Sequence, residues 1–389
     1  MRSMHEVALT QAGRRRAGWQ RCVVGLAIWA CASAAHGAGM TLAQWRLQVA
    51  QVRMLADNDA VAAHARAAAL QALPAGATAA DQVSGLNLLA LTELYLARTG
   101  QAVLHAGRAL AIAARHHDRL GQAQADLVLA SGTASQGRVV PIRDLLEHAM
   151  RMLDGLPQPV LQAEAMLRMA MLYSRLGQFE ESVRICVQSM QNAVTAGHPG
   201  ALAHAHHCMA ISVGLSGNMG AALPHYQAMA AAARQFGSRL LLAQAITGQG
   251  AEIALRDHYR RGEPFLHDAL HIYHEVGAPF FILFALNTLA HNQSLQGHHA
   301  EALRLHDEVI AGFDRYPNPI GSWWALMGRA SDQMKLGDFA AARVDGERAY
   351  QIATGIGHDS YVSDSARQLG LLAAQRGDYQ DAYRWTAQA

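Results

Sequence analysis

Proline and aromatic residues are scarce in this chain of 389 residues, with 10 prolines and 6% aromatics, while 51% of the residues are apolar. Such a composition excludes a disordered or low-complexity protein and suits closely packed helices. Charge of one sign is lacking as well, with 32 Lys and Arg against 30 Asp and Glu. Nothing in that balance favours nucleic acid or an anionic membrane as a partner. Lys335 is the only lysine, so arginine supplies the remaining positive charge. Beyond the N-terminal leader no run of 18 uninterrupted apolar residues occurs, which leaves no later transmembrane helix to predict. Catalytic signatures are missing too: no glycine-rich phosphate loop, nucleophile elbow, CxxC pair or carboxylate dyad in a defined frame. No enzyme activity and no cofactor are predicted for these residues.

The N-terminus reads as a secretory leader. Arg14, Arg15, Arg16 and Arg21 form its basic part, and Cys22 to Ala35 an apolar core of about 14 residues. Ala32-Ser33-Ala34 and Ala35-His36-Gly37 offer cleavage sites. Residues 1–37 are assigned to the signal peptide, cut between about 34 and 38, and the mature chain is expected to be exported to a periplasm. Without the leader's five arginines and one glutamate, 27 basic and 29 acidic side chains remain. Cysteine is nearly absent from the mature part. Cys22 and Cys31 leave with the leader, and Cys186 and Cys208 stay on helices expected to pack together. A disulfide and two buried thiols both fit that placement.

What the sequence has in abundance is repetition. Arg175-Leu176-Gly177-Gln178-Phe179 returns as Lys335-Leu336-Gly337-Asp338-Phe339 and Gln375-Arg376-Gly377-Asp378-Tyr379. Looser copies are centred on Gly137, Gly217 and Gly297, and Asp257 occupies the slot in a degenerate one. From 137 to 377 every step is 40 residues. A fixed period of this size marks a solenoid. A second series of breakers, Pro157, Gly197, Gly237, Gly277, Pro317 and Gly357, is offset by 20 residues. Each repeat is therefore a pair of helices, with glycine ending helices in the left-handed region.

Seven residues before each turn the side chain is small: Ala130, Ala170, Ala210, Gly250, Ala290, Ala330 or Gly370. Five residues after it stands Ser182, Ala222, Gly262, Ala302, Ala342 or Ala382, with Ile142 the exception. Small residues at these two levels predict close approach of the paired helices. Upstream, residues 39–57 and 58–73 predict a hairpin turning at Asp57-Asn58-Asp59, and residues 74–82 a loop. The following pair is expected to turn at Gly100. The chain thus divides into the leader (1–37), N-terminal helical hairpins (39–119) and a regular array (120–389) whose last repeat is incomplete. The fold class is all-α, a solenoid of about nine antiparallel helix pairs.

The pattern of a small residue followed by Gly-Asp-Phe/Tyr-x-x-Ala resembles the tetratricopeptide repeat. It is seen in Gly337-Asp338-Phe339 with Ala342 and in Gly377-Asp378-Tyr379 with Ala382. The 40-residue period is similar to the longer-helix, MalT-like variety. The resemblance covers 120–389 well and 39–119 loosely. It fails at Asp257, where the turn glycine is missing and Pro264 enters the next helix, so a local distortion is expected there. It implies a concave face lined by the first helix of each pair, and binding rather than catalysis. A secretory leader before such an array also resembles the sensor half of bacterial membrane signalling proteins, diguanylate cyclases included. No Gly-Gly-Asp/Glu-Glu-Phe motif is present, so a cyclase domain would lie outside this chain. Membrane contact would come only through an uncleaved leader or a further C-terminal segment. The function expected is an exported peptide- or protein-binding scaffold, the sensory input region of a signalling protein; the alternative is a truncated diguanylate cyclase.

The resemblance also implies that residues thirteen, ten and six before each turn face the groove. From these positions the candidate binding residues are Glu164, His204, His207, Gln244, Asn287, His291, Trp324 and Arg367. A lining of neutral polar and aromatic groups suits a peptide or protein held by hydrogen bonds and aromatic contact. Trp323-Trp324 is the sharpest exposed-aromatic candidate; the competing reading packs one ring in the repeat core and leaves the other partly exposed. Histidine is plentiful at 21. His267, His271 and His274 share one helical face, but the third ligand of a zinc-binding HExxH arrangement is absent, so they read as structural.

Overall fold

A computed structural model describes residues 40–134, 139–215, 221–255, 259–357 and 359–389. The leader and the turn positions Gly137, Gly217 and Asp257 lie outside the described residues. Within them the chain forms eighteen helices and no strand. The N-terminal part holds α1 (Leu42–Ala56), α2 (Ala60–Ala69), α3 (Ala79–Tyr95), α4 (Thr99–Arg115), α5 (Arg119–Ala134) and α6 (Val139–Leu153). The middle holds α7 (Pro159–Arg175), α8 (Phe179–Ala196), α9 (Pro199–Leu215), α10 (Ala222–Phe236), α11 (Arg239–Leu255) and α12 (Tyr259–Val276). The last third holds α13 (Pro279–Leu295), α14 (His299–Arg315), α15 (Pro319–Leu336), α16 (Phe339–Ile356), α17 (Asp359–Gln375) and α18 (Tyr379–Thr386).

Local chemistry sets these boundaries. Thr41 and Gln44 form a capping box at α1, and Thr78 and Asp81 form one at α3. Pro159, Pro279 and Pro319 stand at the start of α7, α13 and α15, where the missing N–H costs nothing. Gly177, Gly297, Gly337 and Gly377 all have φ between 71° and 82°, as the within-pair turns require.

One turn differs from expectation. Gly100 lies inside the first turn of α4, and the left-handed residue is Ala97, at φ 56°. Position 97 is forty residues before Gly137, so it occupies the same slot of the period. His117, at φ 55°, likewise falls forty before Pro157. The repeat phase therefore continues upstream of residue 120, hidden because an L-residue carries the conformation that glycine carries elsewhere.

The two levels of small residues meet as expected. Ser182 Oγ donates to the Ala170 carbonyl at 3.0 Å. A Cβ on Gly262 would lie 2.4 Å from the Gly250 carbonyl oxygen, so α11 and α12 cross backbone to backbone. The distortion expected of Pro264 is not seen in α12, which runs through it unbroken. Proline there forfeits one hydrogen bond, and the Gly250–Gly262 contact packs the preceding turn of α12 against α11.

Curvature follows from which helices touch. The first helices of successive pairs pack on one another, α7 on α9, α11 on α13, α13 on α15 and α15 on α17. The first helices therefore form the inner, concave layer. Cys186 on α8 and Cys208 on α9 are joined by a disulfide with a Cα–Cα distance of 5.3 Å. Both are fully buried, and Ser212 Oγ lies 3.1 Å from Cys186 Sγ. Among the described residues no helix is long and apolar enough to cross a membrane.

The superhelix also closes on itself. The turn between α1 and α2 reaches the N-terminus of α11, some 180 residues away in sequence. Leu240 N donates to the Asp57 carbonyl at 3.0 Å, and Arg239 N to Asn58 Oδ1 at 3.2 Å. Asn58 Nδ2 in turn donates to the Gly237 carbonyl at 3.0 Å. Leu241 N is satisfied locally by Ser238 Oγ at 3.1 Å. The first N–H groups of a helix have no partner within it. Two of those of α11 are thus capped by the other end of the array.

Candidate binding groove

This closure divides the concave face into two halves. In the N-terminal half, Glu164 and Arg168 of α7 pair at 2.6 Å. Burial works to raise the Glu164 carboxyl, but the charges of Arg168, His204 and Arg53 outweigh it and hold it below its usual range. Arg53 comes from α1, so a charge of the N-terminal hairpin lies within electrostatic range of α7. Burial lowers the His204 imidazole, with Glu164 and Asp57 working against that shift. Burial raises the Asp57 carboxyl, although hydrogen bonds from Ser238 and Tyr95 oppose it. The Tyr95 hydroxyl donates to Asp57 Oδ1 at 3.1 Å. Glu164 and His204, both candidates from the sequence, thus face residues of the chain's own first hairpin.

His207 lies one turn further along α9, its ring 6.3 Å from that of Tyr226 between centroids. Its Nδ1 is buried with no hydrogen-bond partner, and burial pushes the imidazole down to about 3. Gln244 of α11 is half-buried.

The C-terminal half, along α13, α15 and α17, is open. Phe284 and Trp324 stand at equivalent positions of successive repeats, 54% and 53% exposed. Trp324 is held by a well-packed neighbour. Trp323 is buried, stacks on Tyr361 at 4.2 Å and donates its indole N–H to Ser365 Oγ at 2.8 Å. Trp324 then sits edge-on to Trp323 at 6.0 Å. Of the two readings of this pair, the structure has the one with a ring in the core and a ring partly exposed. Asn287, between Phe284 and His291 on α13, keeps a buried Oδ1 with no partner. His291 is exposed, and Arg367 of α17 pairs with Asp364 at 3.0 Å.

The eight candidates do not form one cluster. Glu164 and His204 belong to the covered half; Asn287, His291, Trp324 and Arg367 belong to the open half. Phe284 occupies the groove-facing position thirteen before the turn at 297, whereas Lys335 and Gln368 line the open half without having been singled out as candidates. The period places Phe284 in the row of Trp324; nothing local marks Lys335 or Gln368. His267 and His271 are exposed beside Glu263 and Glu275, each at 3.6 Å. Among the described residues no group of three or more His, Cys, Asp or Glu is placed to hold a metal ion.

No protein-family profile and no curated protein matches this sequence. Solved structures do match. A Rap protein complexed with competence and sporulation factor superimposes with a TM-score of 0.63 at 14% identity, over 88% of this chain and 95% of that one. Aspartyl phosphate phosphatase F from Bacillus subtilis gives 0.51 at 12% identity, over 90% of this chain and 93% of that one. Likeness at this level concerns the fold. The chain has a tetratricopeptide-like helical-repeat fold, an all-α solenoid of nine helix pairs among the described residues.

Proposed function

We propose that this chain is a binding scaffold that holds a peptide or protein segment in the open half of its groove. The observation that carries this reading is the row of exposed aromatics, Phe284 and Trp324, on the inner helices α13 and α15. An aromatic side chain immobilised by its neighbours gives contact area at little entropic cost. The similarity to a Rap protein complexed with competence and sporulation factor supports binding by this fold. The test is site-specific photo-crosslinking in producing cells, with the reactive residue at Phe284 or at Val344 on the second helix α16. A discrete adduct is expected from position 284 and lost with Trp324→Ala. Equal adducts from 344, or none from 284, refute the proposal.

The export address and a role as sensory input of a signalling protein belong to the same proposal. The buried Cys186–Cys208 disulfide supports an oxidising compartment. N-terminal sequencing of the protein from a periplasmic fraction checks the address. A mature N-terminus between about residues 34 and 38 is expected, and an intact Met1 in the cytoplasmic fraction overturns it.

A further inference from the structure

On the reading that the groove holds a peptide, we infer that its open half selects a segment carrying a carboxylate next to a large apolar side chain. Between α15 and α17 the groove deepens into a depression of about 290 Å³. Met327, Met334 and Leu371 line it with apolar surface, and Leu371 is 52% exposed. Thioether side chains adapt to the shape of an inserted group. Trp324 precedes Met327 by three residues, so it shares that helical face and borders the depression.

The polar lining is specific in what it leaves unpaired. Asp364 is already engaged by Arg367 at 3.0 Å. Lys335, also in the lining and exposed, has no hydrogen-bond or ion-pair partner among the described residues. Gln368 donates Nε2 to the Met327 carbonyl at 2.9 Å, which leaves its Oε1 buried with no donor. Asn287 Oδ1 is in the same state one helix earlier on the inner layer. An extended peptide offers a carboxylate to a free ammonium and an apolar side chain to the floor. The depression carries Lys335 and Arg367 against Asp364, a surplus of one positive charge. That is too little for a nucleic-acid backbone and sufficient to discriminate a single acidic group.

A phage-displayed random dodecapeptide library selected on the immobilised chain tests the inference. Enriched sequences are expected to place Asp, Glu or the free C-terminus within a few residues of Phe, Leu, Met or Trp. Selection on Lys335→Glu is expected to move that preference to Lys or Arg. A peptide selected on the parent chain should bind Lys335→Glu roughly tenfold more weakly by fluorescence anisotropy, as reversing one exposed charge implies. Enriched peptides without an acidic preference, or the same peptides on both chains, overturn the inference and leave the groove reading standing. No enrichment on the parent chain beyond that on a Phe284→Ser/Trp324→Ser variant overturns both. Lys335 is exposed and unpaired, so its reversal leaves the fold intact, and unchanged circular dichroism verifies this.

Discussion

Lowering the pH from about 7.5 to about 5 charges His207 in the unfolded chain but not in the folded one. An exposed histidine titrates near 6.5, whereas burial pushes His207 down to about 3. The sign follows from that direction. A histidine depressed by folding contributes stability that is present above about 6.5 and is lost as the pH falls toward about 3. At pH of about 5 the unfolded state binds nearly one proton more at this site. The loss is about 1.5 pK units, or about 2 kcal/mol. His204, His206 and His225 are all lowered by burial and act in the same direction, so the parent chain alone cannot isolate His207. The variant His207→Phe can, because it removes the titration and an unpartnered buried Nδ1 together. Native-state hydrogen exchange of the α9 amides, read at both pH values for both chains, gives a double difference. Protection in α9 is expected to fall about 30-fold more in the parent than in the variant, the equivalent of about 2 kcal/mol. Equal losses in the two chains would refute the argument that His207 is held neutral by its surroundings.

Asn58→Ala removes the acceptor for Arg239 N and the donor to Gly237, and should cost about 1 kcal/mol. Faster exchange of the Arg239 and Leu240 amides is the readout, and unchanged exchange argues against a closed superhelix. Replacing Cys186 and Cys208 by alanine opens a cross-link with a sequence separation of 22. The chain-entropy relation puts the loss at about 3 kcal/mol in urea unfolding. Reductant should lower the midpoint of the parent and leave that of the variant unchanged. Gly262→Ala brings a Cβ within 2.4 Å of a backbone oxygen that cannot rotate away, and should destabilise by about 1–3 kcal/mol. Gly107→Ala, in the interior of α4 with open space around it, should instead gain up to about 1 kcal/mol. The same thermal scan compares both, and a Gly262→Ala chain as stable as its parent contradicts the backbone-to-backbone crossing.

The 40-residue period, the helix pairs and the two levels of small residues were all legible in the residues themselves. Each reports a contact between neighbours in the chain, and neighbours in a solenoid are neighbours in sequence. Trp323 and Trp324 were legible as an aromatic pair, but which ring is core and which is surface came from the structure. Ala97 and His117 escaped the reading because turn prediction looks for glycine, while the backbone here imposes φ of 56° and 55° on other residues. Only counting forty back from Gly137 and Pro157 would have found them.

The amino-acid sequence by itself determined the repeat and its phase; that the first helix of each pair lines the concave face is what the tetratricopeptide resemblance implied. The tertiary structure decided how much of that face is free. Small rotations between repeats accumulate until Asp57 and Asn58 meet the N-terminus of α11, across about 180 residues that carry no sign of the contact. That meeting brings Asp57 and Arg53 to Glu164 and His204 and leaves Phe284, Trp324 and the depression beside Lys335 open. Superhelical pitch is a property of the whole array, and no single repeat records it.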